Sequence, residues 1–445
     1  MTRNRSTRRR FLTVSSAAAL SVGLAGCTSD SAPTGNESNQ SGSDDAAPDA
    51  GADDESESSE EDGIALETQY HSREEYRQPG DSLDDFEDLD AWDVQQGDGD
   101  ADGEVVFDGS QSLHLTSEGS ENIVVERDLS EVDLTDLDLS FAVRTTTPES
   151  ITINLRVVDS FGSTKTYSLR EITYRAPDVG WFRSSPGVFE VSEIEPAMDE
   201  LDRLEVQVLH SMDEAEVWID DLRTHPKPDQ GYVLLVWDDG FLDYYDVASP
   251  LHDEFDVPTV QAPVPQWTEE GRDDIMSVSE LQERQEAGDE IVVHGTHTRM
   301  HEYDDEDELE TRLRGDKNWF IENGFEGADY IVYPHNSFDK TSLEYIGDYH
   351  YCGGFNQAGD VNTTGVYGFD PLVLPRTIGH DLDISTRCVD LAAEHNQCAI
   401  LNFHTFEADN TMPEDDYEAL LEHIEDADVE VITFDDLWSM RTENH

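Results

Sequence analysis

Apolar residues fall in two different rhythms along this chain, and the change comes near residue 230. Between about 66 and 226, short runs alternate apolar and polar positions. Examples are Glu104–Phe107, Ser112–Leu115, Asn122–Val125, Leu139–Val143, Ile151–Leu155, Val206–Leu209 and Ala215–Ile219. Asp-Gly, Glu-Gly and Phe-Gly pairs punctuate them. Many short alternating runs without a helical period predict an antiparallel β-sandwich. After residue 231, apolar runs alternate with helical stretches. Strands are expected at Val233–Trp237, Thr259–Ala262, Glu290–Val293, Tyr330–Tyr333, Pro371–Leu374, Ala399–Phe403 and Val429–Phe434. Helices are expected at Ser277–Ala287, Glu306–Asn323, Ser342–Tyr349, Ser385–His395 and Glu414–Ile424. Repeated βα units of this kind build a parallel sheet or barrel.

The first 63 residues follow neither rhythm. Arg8-Arg9-Arg10-Phe11-Leu12 precedes a short, weakly apolar stretch that ends in Leu24-Ala25-Gly26-Cys27. A charged start, a short apolar segment and small residues are the parts of an export signal. The paired arginines resemble the twin-arginine type. The Cys27 context resembles a lipobox, with cleavage before the cysteine and a lipid on its sulfur. Residues 28–63 are Ser, Asp, Glu, Gly and Ala, too poor in large apolar groups to offset the entropy of ordering. The expected organisation is therefore a signal at 1–27, an acidic tether at 28–63, a β-sandwich at 64–228 and a βα barrel at 229–445. The expected location is the outer face of the cell membrane, with the protein anchored there through Cys27.

Charge narrows the function classes. The chain carries 27 basic and 102 acidic residues, a formal charge of −75. Nucleic acid needs a basic stripe that displaces counterions, and none is present. No run of about 20 apolar residues occurs either, which excludes a multispanning membrane protein. Hydrophobic content is low at 36%, but 17 Phe, 15 Tyr and 7 Trp supply a core. Only four lysines occur, and carboxylates cover every segment. Such a surface repels itself unless salt screens it, so the composition resembles that of proteins from very salty water. Cys352, Cys388 and Cys398 show no metal-binding spacing, and their pairing is open.

Candidate chemistry gathers at the ends of the expected strands, where barrels keep their active sites. Trp237-Asp238-Asp239-Gly240 sets two adjacent carboxylates at a strand end, with Gly240 able to bend both toward one cavity. The third strand runs into His294-Gly295-Thr296-His297-Thr298-Arg299-Met300-His301. Three histidines in eight residues, of 15 in the chain, form a dense cluster of neutral nitrogen donors. Two histidines and a carboxylate leave positions open for water, the catalytic rather than the structural arrangement. Leu401-Asn402-Phe403-His404 adds a histidine at a further strand end. Trp92 and Trp181 in the sandwich are candidate sugar platforms or core aromatics.

Together these segments resemble the polysaccharide deacetylase family, the family-four carbohydrate esterases, over about residues 231–440. The sandwich resembles, more generally, the jelly-roll modules that accompany carbohydrate enzymes. The family resemblance implies a distorted (β/α) barrel and a hydrolase that removes acetyl groups from N-acetylated sugars of an extracellular or cell-surface polysaccharide. It implies Asp238 as catalytic base. Asp239, His297 and His301 become the ligands of a divalent metal, with zinc expected. His404 becomes the general acid, and the amide of His335, in Tyr333-Pro334-His335-Asn336, lines the oxyanion hole. Val332 stands where the family carries an arginine, and Arg376, in Leu374-Pro375-Arg376, is the candidate replacement. Asp381 and Asp383 are candidate partners of His404, and His294 is a second-shell residue or an alternative ligand. Two rivals remain, an O-acetyl esterase and an inactive carbohydrate-binding protein on the same fold.

Overall fold

The computed structural model describes residues 64–68, 77–170, 178–296, 298–303, 305–356, 361–406 and 411–443. The signal, Cys27, the acidic tether and His297 lie outside the described residues.

The amino-terminal strands are β1 (Asp81–Asp84), β2 (Trp92–Gln96), β3 (Asp98–Asp102), β4 (Ser112–Glu118), β5 (Ile123–Asp128) and β6 (Leu137–Thr145). They continue as β7 (Ile151–Asp159), β8 (Thr164–Leu169), β9 (Phe182–Ser184), β10 (Val188–Val191), β11 (Leu201–His210) and β12 (Glu214–Pro226). They form two antiparallel six-stranded sheets. One has the order β3-β4-β12-β6-β9 with β1 also on β12; the other has the order β10-β8-β7-β11-β5-β2. Alternation makes the sandwich. In β7, Ile151, Ile153, Leu155 and Val157 turn inward while Thr152, Asn154 and Arg156 turn out. These inward residues share a core with Leu113, Leu115, Phe141 and Val217 of the opposite sheet. The expected strand Glu104–Phe107 is instead a loop. Asp102 accepts the amides of Glu104 and Val105, and Asp220 accepts that of Phe107. A side-chain carboxylate here offers the backbone an alternative to the ladder.

The second half closes on itself. Its strands are β13 (Gly231–Asp239), β14 (Val260–Pro263), β15 (Glu290–Val293), β16 (Gly327–Val332), β17 (Cys352–Asn356), β18 (Leu374–Ile378), β19 (Cys398–Phe403) and β20 (Val429–Val431). All pair in parallel. Because β13 pairs with both β14 and β19, the first seven form a closed barrel, and β20 adds to β13 from outside. β13 is buried along nearly its whole length, as a parallel strand covered on both faces must be. The helices are α1 (Ser249–Phe255), α2 (Pro265–Glu270), α3 (Val278–Ala287), α4 (Glu306–Glu322), α5 (Lys340–Gly347), α6 (Leu382–His395), α7 (Glu414–Asp426) and α8 (Phe434–Glu443).

Three differences from the sequence reading matter. Strand β17 has two glycines and no alternation, so its pattern gave no signal. The expected strand at Pro371–Leu374 lies later, at Leu374–Ile378, which moves Arg376 from a strand's edge to its middle. The expected strand Val429–Phe434 stops at Val431, and the apolar Phe434 opens helix α8.

Sandwich and barrel belong to one compact unit, Asp62–His445. Gln397 joins them. Its Oε1 accepts from the Val188 amide at 2.9 Å, and its Nε2 donates to Asp138 at 3.1 Å. Pro186 bridges to Thr364, and Lys227 lies 3.4 Å from the buried Asp138. The Pro226-Lys227-Pro228 segment between them is thus held by both halves, with Lys227 Nζ also donating to His395 O at 3.1 Å. Among the described residues no helix is long and apolar enough to cross a membrane.

Candidate active site

The carboxyl ends of β13, β15, β16, β18 and β19 converge on one rim of the barrel. β13 delivers Asp238 and Asp239 in opposite directions. Asp239 has φ 72° and Gly240 φ 77°, two successive left-handed residues. Only glycine suits the second, because a Cβ there would lie 2.8 Å from that of Pro263. The bend therefore begins at Asp239 itself, one residue before the sequence suggested.

Asp238 points into the barrel and meets Arg376. Nη1 donates to Oδ1 at 3.0 Å and Nη2 to Oδ2 at 3.1 Å, and both side chains are buried. Burial works to raise this carboxyl. The charge of Arg376 and its hydrogen bonds, with His404 adding, outweigh it and hold it below the usual carboxylate value. Arg376 also donates from Nη2 to Asn336 Oδ1 at 3.2 Å. Asn336 and His335 are both left-handed, at φ 52° and 55°, conformations that non-glycine residues take only when their surroundings impose them. His335 sits close enough to Asp239 to favour its ionised form.

His404 follows β19 and lies over the same carboxylate, with Nε2 3.9 Å from Asp238 Oδ2. Its side chain is 32% exposed, so its outer edge is open to a ligand. Its Nδ1 is buried without a hydrogen-bond partner among the described residues.

Asp239 turns toward the histidine segment. Its Oδ1 is 3.6 Å from His294 Nε2. Burial, with the neighbouring Asp238 adding, pushes its carboxyl up to about 6. Burial likewise lowers His294, which is therefore a neutral donor. His301 is held through Nδ1 by the Ser337 hydroxyl, which leaves Nε2 as its other donor. These groups suit a divalent cation. A buried carboxylate that no guanidinium or ammonium among the described residues meets in an ion pair is relieved by one, and a neutral imidazole beside it is the ligating form. Among the described residues no three such groups cluster closely enough to complete a site. Asp239 and His294 are adjacent, His301 stands on the same segment, and His297 lies outside the described residues.

The structure thus brings together Asp238, Asp239, Arg376, His404, His294 and His335, while His301 lies against Ser337, on the loop after His335. It does not bring in the two carboxylates considered for His404. Asp381 caps α6 by accepting from the Ile384 amide at 3.0 Å, and Asp383 lies in that helix's first turn. His380 packs against His404 instead, with ring centroids 5.9 Å apart at 70°. Sequence reasoning missed it; its only signal was a histidine four residues after Arg376. Asp243, also missed, accepts from the Phe406 amide at 2.6 Å and ties the loop after His404 to the loop after Asp239. In the sandwich, Trp92 is a core residue, stacked on Phe86 with its indole N–H on Asp84. Trp181 is half-buried beside Phe107. Cys388 and Cys398 are both buried, and Cys388 Sγ lies 3.7 Å from the Thr377 hydroxyl.

No family model matches this chain, and no curated protein does. Solved structures do match. One is the deacetylase PplD of Streptococcus pyogenes in complex with acetate, at 15% identity over 42% of this chain and 69% of that one, TM-score 0.30. Another is a family 4 carbohydrate esterase from Streptomyces lividans in complex with acetate, at 12% identity over 46% and 92%, TM-score 0.32. A third is the peptidoglycan deacetylase PdaC from Bacillus subtilis, at 10% identity over 48% and 94%, TM-score 0.33. Likenesses this low do not bear on the chemistry of this chain, which rests on the geometry above.

Proposed function

We propose that this protein is a metal-dependent hydrolase that removes acetyl groups from N-acetylated sugars of a polysaccharide. One observation carries the reading. A buried carboxylate kept ionised by Arg376 lies 3.9 Å from an accessible imidazole, so a base and an acid serve one reacting centre. Proton transfers of this kind each contribute roughly 10²–10⁴-fold.

Asp238 takes the proton of the attacking water. Its two Arg376 hydrogen bonds use one lone pair on each oxygen and leave others for that proton. The amide of His335 donates to the oxygen of the tetrahedral intermediate, a contribution on the order of 3 kcal/mol for one such donor. His404, through Nε2–H, protonates the departing amine, which is a poor leaving group without it. Asp239, His297 and His301 would hold the divalent ion, zinc by the chemistry of the donors, with His294 against Asp239. When bound, such an ion lowers the pKa of its water from 15.7 to about 7 and polarises the acetyl oxygen.

The cellular setting completes the proposal. The chain is exported by the twin-arginine route and tethered to the outer face of the membrane through a lipid on Cys27. Its substrate is then an extracellular or cell-surface glycan. The test is acetate release from N-acetylglucosamine oligomers in multimolar salt, with Asp238→Asn alongside. Release by the wild type and not by the variant supports the reading. Equal release by both removes Asp238 as base.

A further inference from the structure

A histidine that gives its Nε2 proton to a leaving group must be an imidazolium beforehand, so its Nδ1 also carries a proton. That second N–H needs an acceptor, which fixes both the protonation state and the ring orientation. In this site no carboxylate among the described residues makes a hydrogen bond to His404 Nδ1. Asp381 is committed to its helix, and Asp243 directs Oδ2 to Thr405 and the Phe406 amide while its buried Oδ1 makes no hydrogen bond to His404, which is why Asp243→Asn belongs in the test. Asp238 faces the opposite nitrogen, Nε2.

What does pack on His404 is His380, edge to face. Both rings present a buried nitrogen with no hydrogen-bond partner among the described residues, Nδ1 of His404 and Nε2 of His380. Each such atom forfeits its hydration unless a partner or a bridging water serves it. They are also complementary. A neutral imidazole offers one ring nitrogen as acceptor. His380 is kept in that form, since burial, with His404 adding, lowers it to about 4. Its place is fixed by the fold, because it follows β18 two residues after Ile378, with Gly379 donating its amide to Asn402 O at 2.8 Å. Strand β18 thus carries the residue that orients the base, Arg376, and, four residues on, a residue beside the acid.

We propose that His380 is the positioning residue of His404. Its Nε2 accepts the Nδ1–H of the His404 imidazolium, directly or through one water, and so holds Nε2–H toward the leaving group. This rests on the deacetylase reading, but one arm of the test does not.

The variants are His380→Phe, which keeps a ring and removes the acceptor, and His380→Gln, which restores a polar atom near the position of Nε2. His404→Ala, the His380→Phe/His404→Ala double variant and Asp243→Asn complete the set. On N-acetylglucosamine oligomers, His380→Phe should lower kcat about 10–100-fold with KM little changed. His380→Gln should recover most of that loss. The double variant should be no slower than His404→Ala. Hydrolysis of an aryl acetate, whose phenolate leaves without a proton, should fall less than about 3-fold in His380→Phe. Equal losses in His380→Phe and His380→Gln, or on both substrates, would show that His380 only packs. The arm without substrate is the long-range ¹⁵N spectrum of histidine-labelled protein, with His404 assigned by its loss in His404→Ala. His380→Phe should move the His404 Nδ1 signal. If Asp243→Asn moves it and His380→Phe does not, the proposal fails. If the wild type releases no acetate yet the signal moves in His380→Phe, the positioning stands and the deacetylase reading falls.

Discussion

Arg376 meets Asp238 in a forked pair, Nη1 to Oδ1 at 3.0 Å and Nη2 to Oδ2 at 3.1 Å, with both side chains withdrawn from solvent. A pair in this setting is costly to break, because removing one partner strands the other charge. Arg376→Met should therefore destabilise the protein by about 3–5 kcal/mol at neutral pH. The pH dependence has a definite sign. Asp238 is held below its unfolded value, so it contributes stability above that value and loses it as pH falls through the folded one. Without Arg376, burial dominates and the carboxyl rises. The acid limb of the kcat/KM profile should then move to higher pH. An unmoved limb in a folded variant would mean that another group sets it.

Asp239 behaves in the opposite sense. Burial raises it to about 6, so in metal-free protein its ionisation opposes folding. Stability from this group is present while it is protonated and is lost as pH rises from the unfolded value near 4 through about 6. Metal-free Asp239→Asn should melt higher than metal-free wild type at pH 7–8, by an amount on the order of 2 kcal/mol. Added zinc should raise Tm in the wild type and not in the variant. Calorimetry with and without chelator checks both statements, and elemental analysis checks retention of the ion.

Gly354, on the strand without alternation, makes room for Arg376. A Cβ there would lie 3.1 Å from the arginine Cδ and 3.4 Å from Cγ. Gly354→Ala should push the guanidinium off Asp238 at a stability cost of roughly 1–3 kcal/mol, as for other overpacked interiors. Turnover should fall while metal content stays at the wild-type level. A variant with full activity would show that the arginine stem yields without moving its head.

The charge of −75 predicts salt dependence for the whole chain. At 1 M salt the screening length is about 3 Å, against about 10 Å at 0.1 M. Dialysis from multimolar to 0.1 M salt should lower Tm sharply or unfold the protein, with circular dichroism as the readout. Full stability in dilute buffer would remove the reading of a surface built for high salt.

Periodicity exposed most of the framework. Strands β7, β11 and β12 announce themselves by alternation, and β13, β15 and β19 by unbroken apolar runs with chemistry at their ends. Other elements were silent for identifiable reasons. β17 has no alternating side chains to read, β1 and β3 are mostly acidic, and α1 and α2 are seven and six residues long. Pro375 interrupts the pattern of Leu374–Ile378, since a proline argues against a central strand, yet this strand pairs with β17 and β19 in the closed barrel.

The sequence by itself determined the ingredients: a sandwich followed by a barrel, the Asp238-Asp239-Gly240 corner, the histidine segment, His404 and the acidic surface. These are local, because each shows as a spacing or a composition within a few residues. Only the tertiary structure decided partnerships. It set Arg376 on Asp238 across 138 positions, His294 on Asp239, and His380 on His404 in place of the acidic neighbours Asp381 and Asp383. Spacing along a chain fixes which way a side chain leaves its own strand. Which groups it then meets depends on how seven strands close into a ring, and that closure brings residues distant in sequence within a hydrogen bond of one another.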